Sequence, residues 1–161
     1  MRSLTCAMAA AATLTAAALL ALPSAASAAG GPARAPHAPT ETALRDECSL
    51  EGSQADMRAC LQRKNRESEK DLKLAQAAVL RAVAGWDEDA RYTQLTKDRL
   101  AAASRSFVHY RAAECAFMKS IGGGAIGAAL DLRHLACTAA LNWQRTRSLH
   151  SSAQDLAQRA R

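Results

Sequence analysis

The residues of this chain best suited to covalent chemistry are four cysteines: Cys48, Cys60, Cys115 and Cys137. Eleven residues separate the first two and twenty-one the last two, so both pairs lack the short C-x₂₋₄-C spacing of structural zinc sites. An even number of cysteines in a small exported chain favours disulfides instead. We therefore expect two disulfides, with no metal centre and no cofactor.

The pairing of these cysteines has two main alternatives. Local bridges, Cys48–Cys60 and Cys115–Cys137, would each close one connection between helices, and we prefer them. However, a hairpin centred near Glu88 would bring Cys60 and Cys115 to similar heights, because they lie 28 and 27 residues from it. A second pairing therefore remains possible, with Cys60 bonded to Cys115 and Cys48 to Cys137, since the sequence alone does not determine connectivity.

The other chemically capable residues do not form a catalytic pattern. His109, His134 and His150 are scattered and lack an evident partner, so we expect no enzymatic activity and interpret them as helix-surface residues. The glycine-rich segment 122–127 lacks the lysine and Ser/Thr of a phosphate-binding P-loop, and is better explained as a turn between helices. Export and a scarcity of aromatic side chains also argue against nucleic-acid binding.

The N-terminus has the pattern of a secretory signal peptide. Arg2 precedes an apolar run over residues 7–22, and Ala26-Ser27-Ala28 forms an A-x-A cleavage site. The run is too short for a transmembrane span, which needs roughly 20 apolar residues. We expect residues 1–28 to be removed near Ala28, leaving a periplasmic or secreted protein whose residues 29–43 form a disordered linker.

The remainder predicts an all-α fold, a small bundle of about three helices stapled by two disulfides. No proline follows Pro39, and the composition favours helix. The first helix should start near Ser53, where Asp56 completes a capping box, and the chain should break over 85–89. The second should span Tyr92–Ser120 and the third Ala125–Leu149, with a glycine turn between them and a polar, frayed tail over 150–161.

Apolar residues spaced by three or four predict one buried face on each helix. The polar stretch 62–71 should face solvent or pack loosely. The predicted buried residues are Met57, Leu61, Leu72, Ala75, Val79 and Val83 in the first helix, Leu100, Ala103, Phe107, Tyr110, Phe117 and Ile121 in the second, and Leu132, Leu135, Ala139, Trp143 and Thr146 in the third.

Charge is unevenly distributed along the chain. Residues 41–89 hold 11 acidic and 8 basic side chains, whereas residues 90–161 hold 4 acidic and 11 basic ones. Trp86, Asp87, Glu88 and Asp89 form an acidic turn that could contact a basic partner. The competing interpretation is a solvated helix start, where acidic residues are favoured by the helix dipole.

The segment Leu100–Leu149 reads L-x₆-F-x₂-Y-R-A-A-E-C, then G-G-G-A-I-G, then C-x₄-N-x₂-R-x₃-L. It resembles the LprI-like lysozyme-inhibitor family of exported four-cysteine helical proteins. Arg111 and Cys115 match the first family motif, residues 122–124 the glycine-rich turn, and Cys137, Arg145 and Leu149 the last motif, while Cys48 and Cys60 match the N-terminal pair. The departures are Phe107 for tryptophan, Ala112 for aspartate and Asn142 for threonine.

This resemblance implies a domain over residues 44–149 and inhibition of lysozyme or another peptidoglycan hydrolase. Arg111 and Arg145 become candidate partner-binding residues, although both could instead act structurally, with Glu114 as the acidic partner of either one. The alternative function is a non-inhibitory module whose basic C-terminal half binds anionic cell-wall polymer or lipid headgroups. A basic inhibitor would be repelled at long range by the strongly basic lysozymes of many animals.

Overall fold

The computed structural model describes residues 37–125 and 127–159 and is all-helical in that part. The predicted signal peptide and most of the predicted linker fall outside these residues. The helices are α1 (Glu41–Ser49), α2 (Gln54–Ala84), α3 (Ala90–Ser120) and α4 (Gly127–Arg159). The all-α prediction is confirmed, with four described helices where the sequence suggested about three.

The additional helix is α1, which begins within the segment predicted to be linker. The Thr40 side chain caps it by accepting a hydrogen bond from the Ala43 N–H at 3.1 Å. Its two buried residues, Leu44 and Cys48, are four positions apart and so lie on the same face. With only two such residues in a mostly polar segment, α1 is too short to show clear periodicity, which is why the sequence did not predict it.

The start and the buried face of α2 follow the prediction. Ser53 and Asp56 form the expected capping box, since each side chain accepts a hydrogen bond from the other residue's backbone N–H. Leu61, Leu72, Ala75, Val79 and Val83 are buried, and Met57 packs against a neighbouring cluster. The helix ends at Ala84 with Gly85 as its C-cap, so the predicted break over 85–89 is confirmed.

Helices α2 and α4 run parallel and make the most extensive helix–helix contact of the bundle. Three contacts show the register: Arg58 with Asp131, Ser68 with Asn142, and Asp71 with Trp143. The two helices enclose two apolar clusters. The first consists of Leu44, Cys48, Cys60, Leu61, Leu132, Ala136, Ala139 and Ala140; the second consists of Leu72, Ala75, Val79, Val83 and Leu149.

Helix α3 contributes only one buried residue, Cys115, within the described chain. Leu100 and Phe107 are partly buried against the second cluster, as predicted. The prediction was wrong for Ala103, Tyr110, Phe117 and Ile121, which are exposed. Because Cys115 is bonded to Cys137, this side of α3 faces α4. Phe117 follows two residues later, about 200° further round the helix, so it lies on nearly the opposite side.

Helix α4 is longer than predicted at its C-terminal end. It continues through residues 150–159, where the sequence suggested a frayed tail. Ala153 and Leu156 pack against the second cluster, and this contact holds the last turns in place. Its predicted face is correct: Leu132, Ala139 and Thr146 are buried, while Leu135 and Trp143 pack against the first cluster.

The turn between α3 and α4 requires one glycine for its backbone conformation. Gly123 has a φ of 58°, in the left-handed region that side chains with a Cβ disfavour. A Cβ at Gly123 would meet nothing within 4 Å, so only the backbone conformation disfavours a larger residue.

We predict that Gly123→Ala lowers the free energy of unfolding by about 1 kcal/mol, measured by urea denaturation. Gly124→Ala is the control, because its Cβ would also have free space and its φ is not positive; equal effects of the two changes would contradict the prediction.

Candidate functional site

Both disulfides adopt the local pairing. Cys48 bonds Cys60 and Cys115 bonds Cys137, with Cα atoms 5.6 Å apart in each case. All four residues are buried. One bridge fixes the turn between α1 and α2, and the other joins α3 to α4 near the glycine turn. Because α2 and α4 are parallel, both stapled turns lie at the same end of the bundle.

The acidic turn lies at the other end of α2. Asp87, Glu88 and Asp89 are exposed, and Trp86 is half-buried. The Asp89 carboxylate caps α3 by accepting a hydrogen bond from the Arg91 N–H at 2.7 Å, and Glu88 accepts one from the Asp89 N–H. Asp89 therefore has the structural role of an acidic residue at a helix start. Asp87 forms no hydrogen bond or ion pair with any described residue.

Arg111 belongs to a polar network inside the bundle. Its Nη1 donates to Asn142 Oδ1 at 2.5 Å, and its guanidinium carbon lies 5.8 Å from the centre of the Phe107 ring. Asn142 Nδ2 donates to Ser68 Oγ at 3.0 Å, and the Ser68 hydroxyl donates to the Asn65 carbonyl oxygen at 2.8 Å. The network joins α2, α3 and α4.

The network corrects part of the prediction that the polar stretch 62–71 faces solvent or packs loosely, since half of that stretch is exposed but Ser68 is buried. Ser68 and Asn142 are both 0% exposed. Asp71, in the same stretch, accepts a hydrogen bond from the Trp143 indole N–H at 2.9 Å. A polar run lacks apolar periodicity, so sequence reasoning missed its buried member. The available signal was Asn142, a polar residue that the sequence placed in the third helix beside the predicted buried residues Ala139 and Trp143.

Arg145 lies three residues beyond Asn142 on α4 and is half-buried. Its Nε is buried without a hydrogen-bond partner among the described residues. The expected ion pairs of Glu114 with Arg111 or Arg145 do not form in the described part of the chain. Glu114 instead lines a groove of about 200 Å³ between α3, α4 and residues 38–41.

The end of the bundle that carries the disulfides is further held by ion pairs. Asp131 on α4 contacts Lys119 on α3 at 2.8 Å and Arg58 on α2 at 3.5 Å. The hydrogen bond and positive charge of Lys119 lower the pKa of Asp131 below its usual value. Hydrogen bonds from Ser53 likewise lower the pKa of Asp56. Both carboxylates therefore stay ionised in neutral solution.

The described residues do not gather the histidines into a site. His109 and His150 are exposed on α3 and α4, and His134 Nδ1 lies 3.4 Å from the Cys115 carbonyl oxygen. Across residues 37–125 and 127–159, no group of three or more His, Cys, Asp or Glu side chains is placed to hold a metal ion. Nor is any helix of this part both long and apolar enough to span a membrane.

The comparisons with known proteins give one match. No curated protein and no solved structure matches the chain. A family model described as lysozyme inhibitor LprI matches residues 45–149. The match includes all four disulfide cysteines, α2, α3, and α4 as far as Leu149. It covers well over half of the sequence, and the chain therefore belongs to the LprI family of lysozyme inhibitors.

Proposed function

We propose that this protein is exported and inhibits lysozyme or a related peptidoglycan hydrolase by binding to it. The observation that carries the proposal is the family match over residues 45–149, which spans both disulfides. The disulfides also support export, because they persist on the oxidising side of a membrane.

The structure suits such a role because its bundle is ordered before binding. Each disulfide fixes a turn, and buried contacts along α2 and α4 hold the helices together. A rigid surface loses little conformational entropy when it binds, so more of the contact free energy appears as affinity.

We further propose that the acidic turn contacts the hydrolase. Asp87 and Glu88 are exposed and complement a basic enzyme surface, which accelerates association. Arg145 remains a second proposed contact, because it forms no ion pair with a described residue. Arg111 is already bonded to Asn142, so it could reach a partner only through its remaining N–H groups.

The direct test is inhibition of cell-wall clearing. Oxidised protein, purified after export, is mixed with lysozymes of several structural classes, and the loss of turbidity of a cell-wall suspension is followed. We expect slower clearing by at least one class, saturating with protein concentration. Unchanged clearing by every class at all soluble concentrations would contradict the proposed function.

The contact surface has a separate test. Asp87→Asn combined with Glu88→Gln should weaken inhibition of a basic lysozyme about tenfold at low salt, through slower association. The control is Asp46→Asn with Glu67→Gln, which removes the same charge from exposed positions on α1 and α2, away from the acidic turn. If the wild type inhibits and both double variants inhibit equally well, the function stands and the acidic turn is not the contact.

A further inference from the structure

Exposed apolar side chains are concentrated on α3. Nine large apolar side chains are exposed among the described residues, and six of them lie on α3 or at its C-cap. These six are Tyr92, Leu95, Val108, Tyr110, Phe117 and Ile121. Isolated exposed apolar residues are normal, but a concentration on one helix marks an interaction surface.

Five of these six residues share one face of the helix, two near its start and three towards its end. We call it the outer stripe: Tyr92, Leu95, Arg99, Ala103, Ser106, Tyr110, Ala113, Phe117 and Ile121. Each step is three or four residues, so the positions share a face, and every one of them is exposed. The stripe is about 44 Å long at the helical rise per residue. It lies away from Cys115, the residue that binds α3 to the bundle.

The charges around the stripe are mostly positive, with Asp98 as the exposed acidic side chain of α3. Arg91, Arg99 and Arg105 are exposed, and none of them forms an ion pair with a described residue. The nearby Asp98 accepts a hydrogen bond from Gln94. In total α3 carries six basic and two acidic side chains. The stripe therefore combines apolar contact area with cations that are free to bind an anionic surface.

A second copy of this chain is a poor occupant. Two α3 helices packed stripe to stripe would bring the exposed Arg91, Arg99 and Arg105 of both copies to the same contact region, and like charges across an interface oppose association. An acidic protein would need a groove that matches a convex ridge. A flat anionic surface has no such requirement and can contact the whole line of side chains at once.

We propose that the outer stripe docks this protein onto anionic lipid bilayers. Tyrosine, phenylalanine and arginine are side chains that lie at the headgroup level, with rings against the acyl boundary and guanidinium groups on phosphates. The few large apolar residues give a shallow, reversible contact that depends on negative charge. The stripe begins three residues after Asp89 but shares no residue with the acidic turn, so docking does not depend on the proposed inhibition.

The experiment is co-sedimentation of the oxidised, exported protein with two kinds of vesicle. One contains equal parts of phosphatidylglycerol and phosphatidylcholine, and the other phosphatidylcholine alone. We expect binding to the anionic vesicles only, weakening as salt is raised. Tyr110→Ser with Phe117→Ser should weaken it about tenfold. Arg99→Gln with Arg105→Gln should weaken it about 25-fold, at roughly fivefold for each charge near the surface.

Matched controls lie away from α3. Leu50→Ser with Leu74→Ser removes two apolar side chains that are 85% and 53% exposed, and Arg66→Gln with Arg81→Gln removes two exposed charges from α2. Both controls should bind within about twofold of the wild type, because they leave the stripe unchanged. Three results would overturn the proposal: no binding to anionic vesicles, equal losses in stripe and control variants, or a concentration-dependent dimer that the stripe variants abolish. The last would show that a second copy covers the stripe.

Discussion

Replacing Cys115 and Cys137 together by alanine is expected to lower the free energy of unfolding by about 3 kcal/mol. The bridge spans 22 residues of sequence, and opening it restores chain entropy to the unfolded state. The folded state is also destabilised, because Cys115 is the one buried residue of α3 within the described chain. We therefore expect α3 to detach before the rest of the bundle unfolds.

Two measurements check this prediction. Urea denaturation gives the change in stability, and native-state hydrogen exchange shows where protection is lost. Amides of α3 should exchange faster, while those of α2 and α4 near the two clusters stay protected. The control is Cys48→Ala with Cys60→Ala, which opens a bridge of 12 residues and costs a similar free energy, about 3 kcal/mol, but should release α1 instead. Uniform loss of protection in both variants would show that α3 is not an independently detaching unit.

The second large effect is expected at Asn142. Asn142→Ala should lower the free energy of unfolding by about 2–4 kcal/mol, because it removes the hydrogen bonds to Ser68 and to the charged Arg111 and leaves a cavity between the helices. The measurement is urea denaturation of variant and wild type under the same oxidising conditions.

Two companion variants separate the causes. Asn142→Leu keeps the number and branching of the side-chain heavy atoms and leaves no cavity, so its cost reports the lost hydrogen bonds and the fit of two methyl groups. Gln144→Ala, at an exposed position on the same helix, should change stability by less than about 0.5 kcal/mol. A double-mutant cycle of Asn142→Leu with Ser68→Ala should give a coupling of about 1 kcal/mol. A change at Asn142 as small as that at Gln144 would mean that the network contributes nothing to the fold.

The two proposed binding surfaces, the acidic turn and the outer stripe, are made of different residues. The acidic turn lies at the end of the bundle opposite the disulfides, while the outer stripe runs along α3. Inhibition and docking on lipid therefore use different residues. The variants proposed for each leave the other surface intact, so the outcomes can be assigned to one face or the other.

Much of the architecture was predictable because it depends on local signals. Ser53 with Asp56 marked the start of α2, and Gly85 marked its end. The glycines at 122–124 marked the turn between α3 and α4. The apolar spacing of Leu72, Ala75 and Val79 identified a buried face. These signals act within one turn of helix, so the order of residues is enough to read them. The four cysteines and the family motifs likewise identified the cross-linked family to which the chain belongs.

The sequence by itself determined where the chain forms helices and turns, because helix propensity, capping and glycine geometry are properties of neighbouring residues. The tertiary structure alone decided the cysteine pairing, the burial of Ser68 and the side of α3 that faces solvent. Periodicity shows that Tyr110 and Phe117 share a face, but the rotation of a helix about its axis is set by what it contacts. Here the bond from Cys115 to α4 sets that rotation, and it leaves an apolar line exposed beside free arginines.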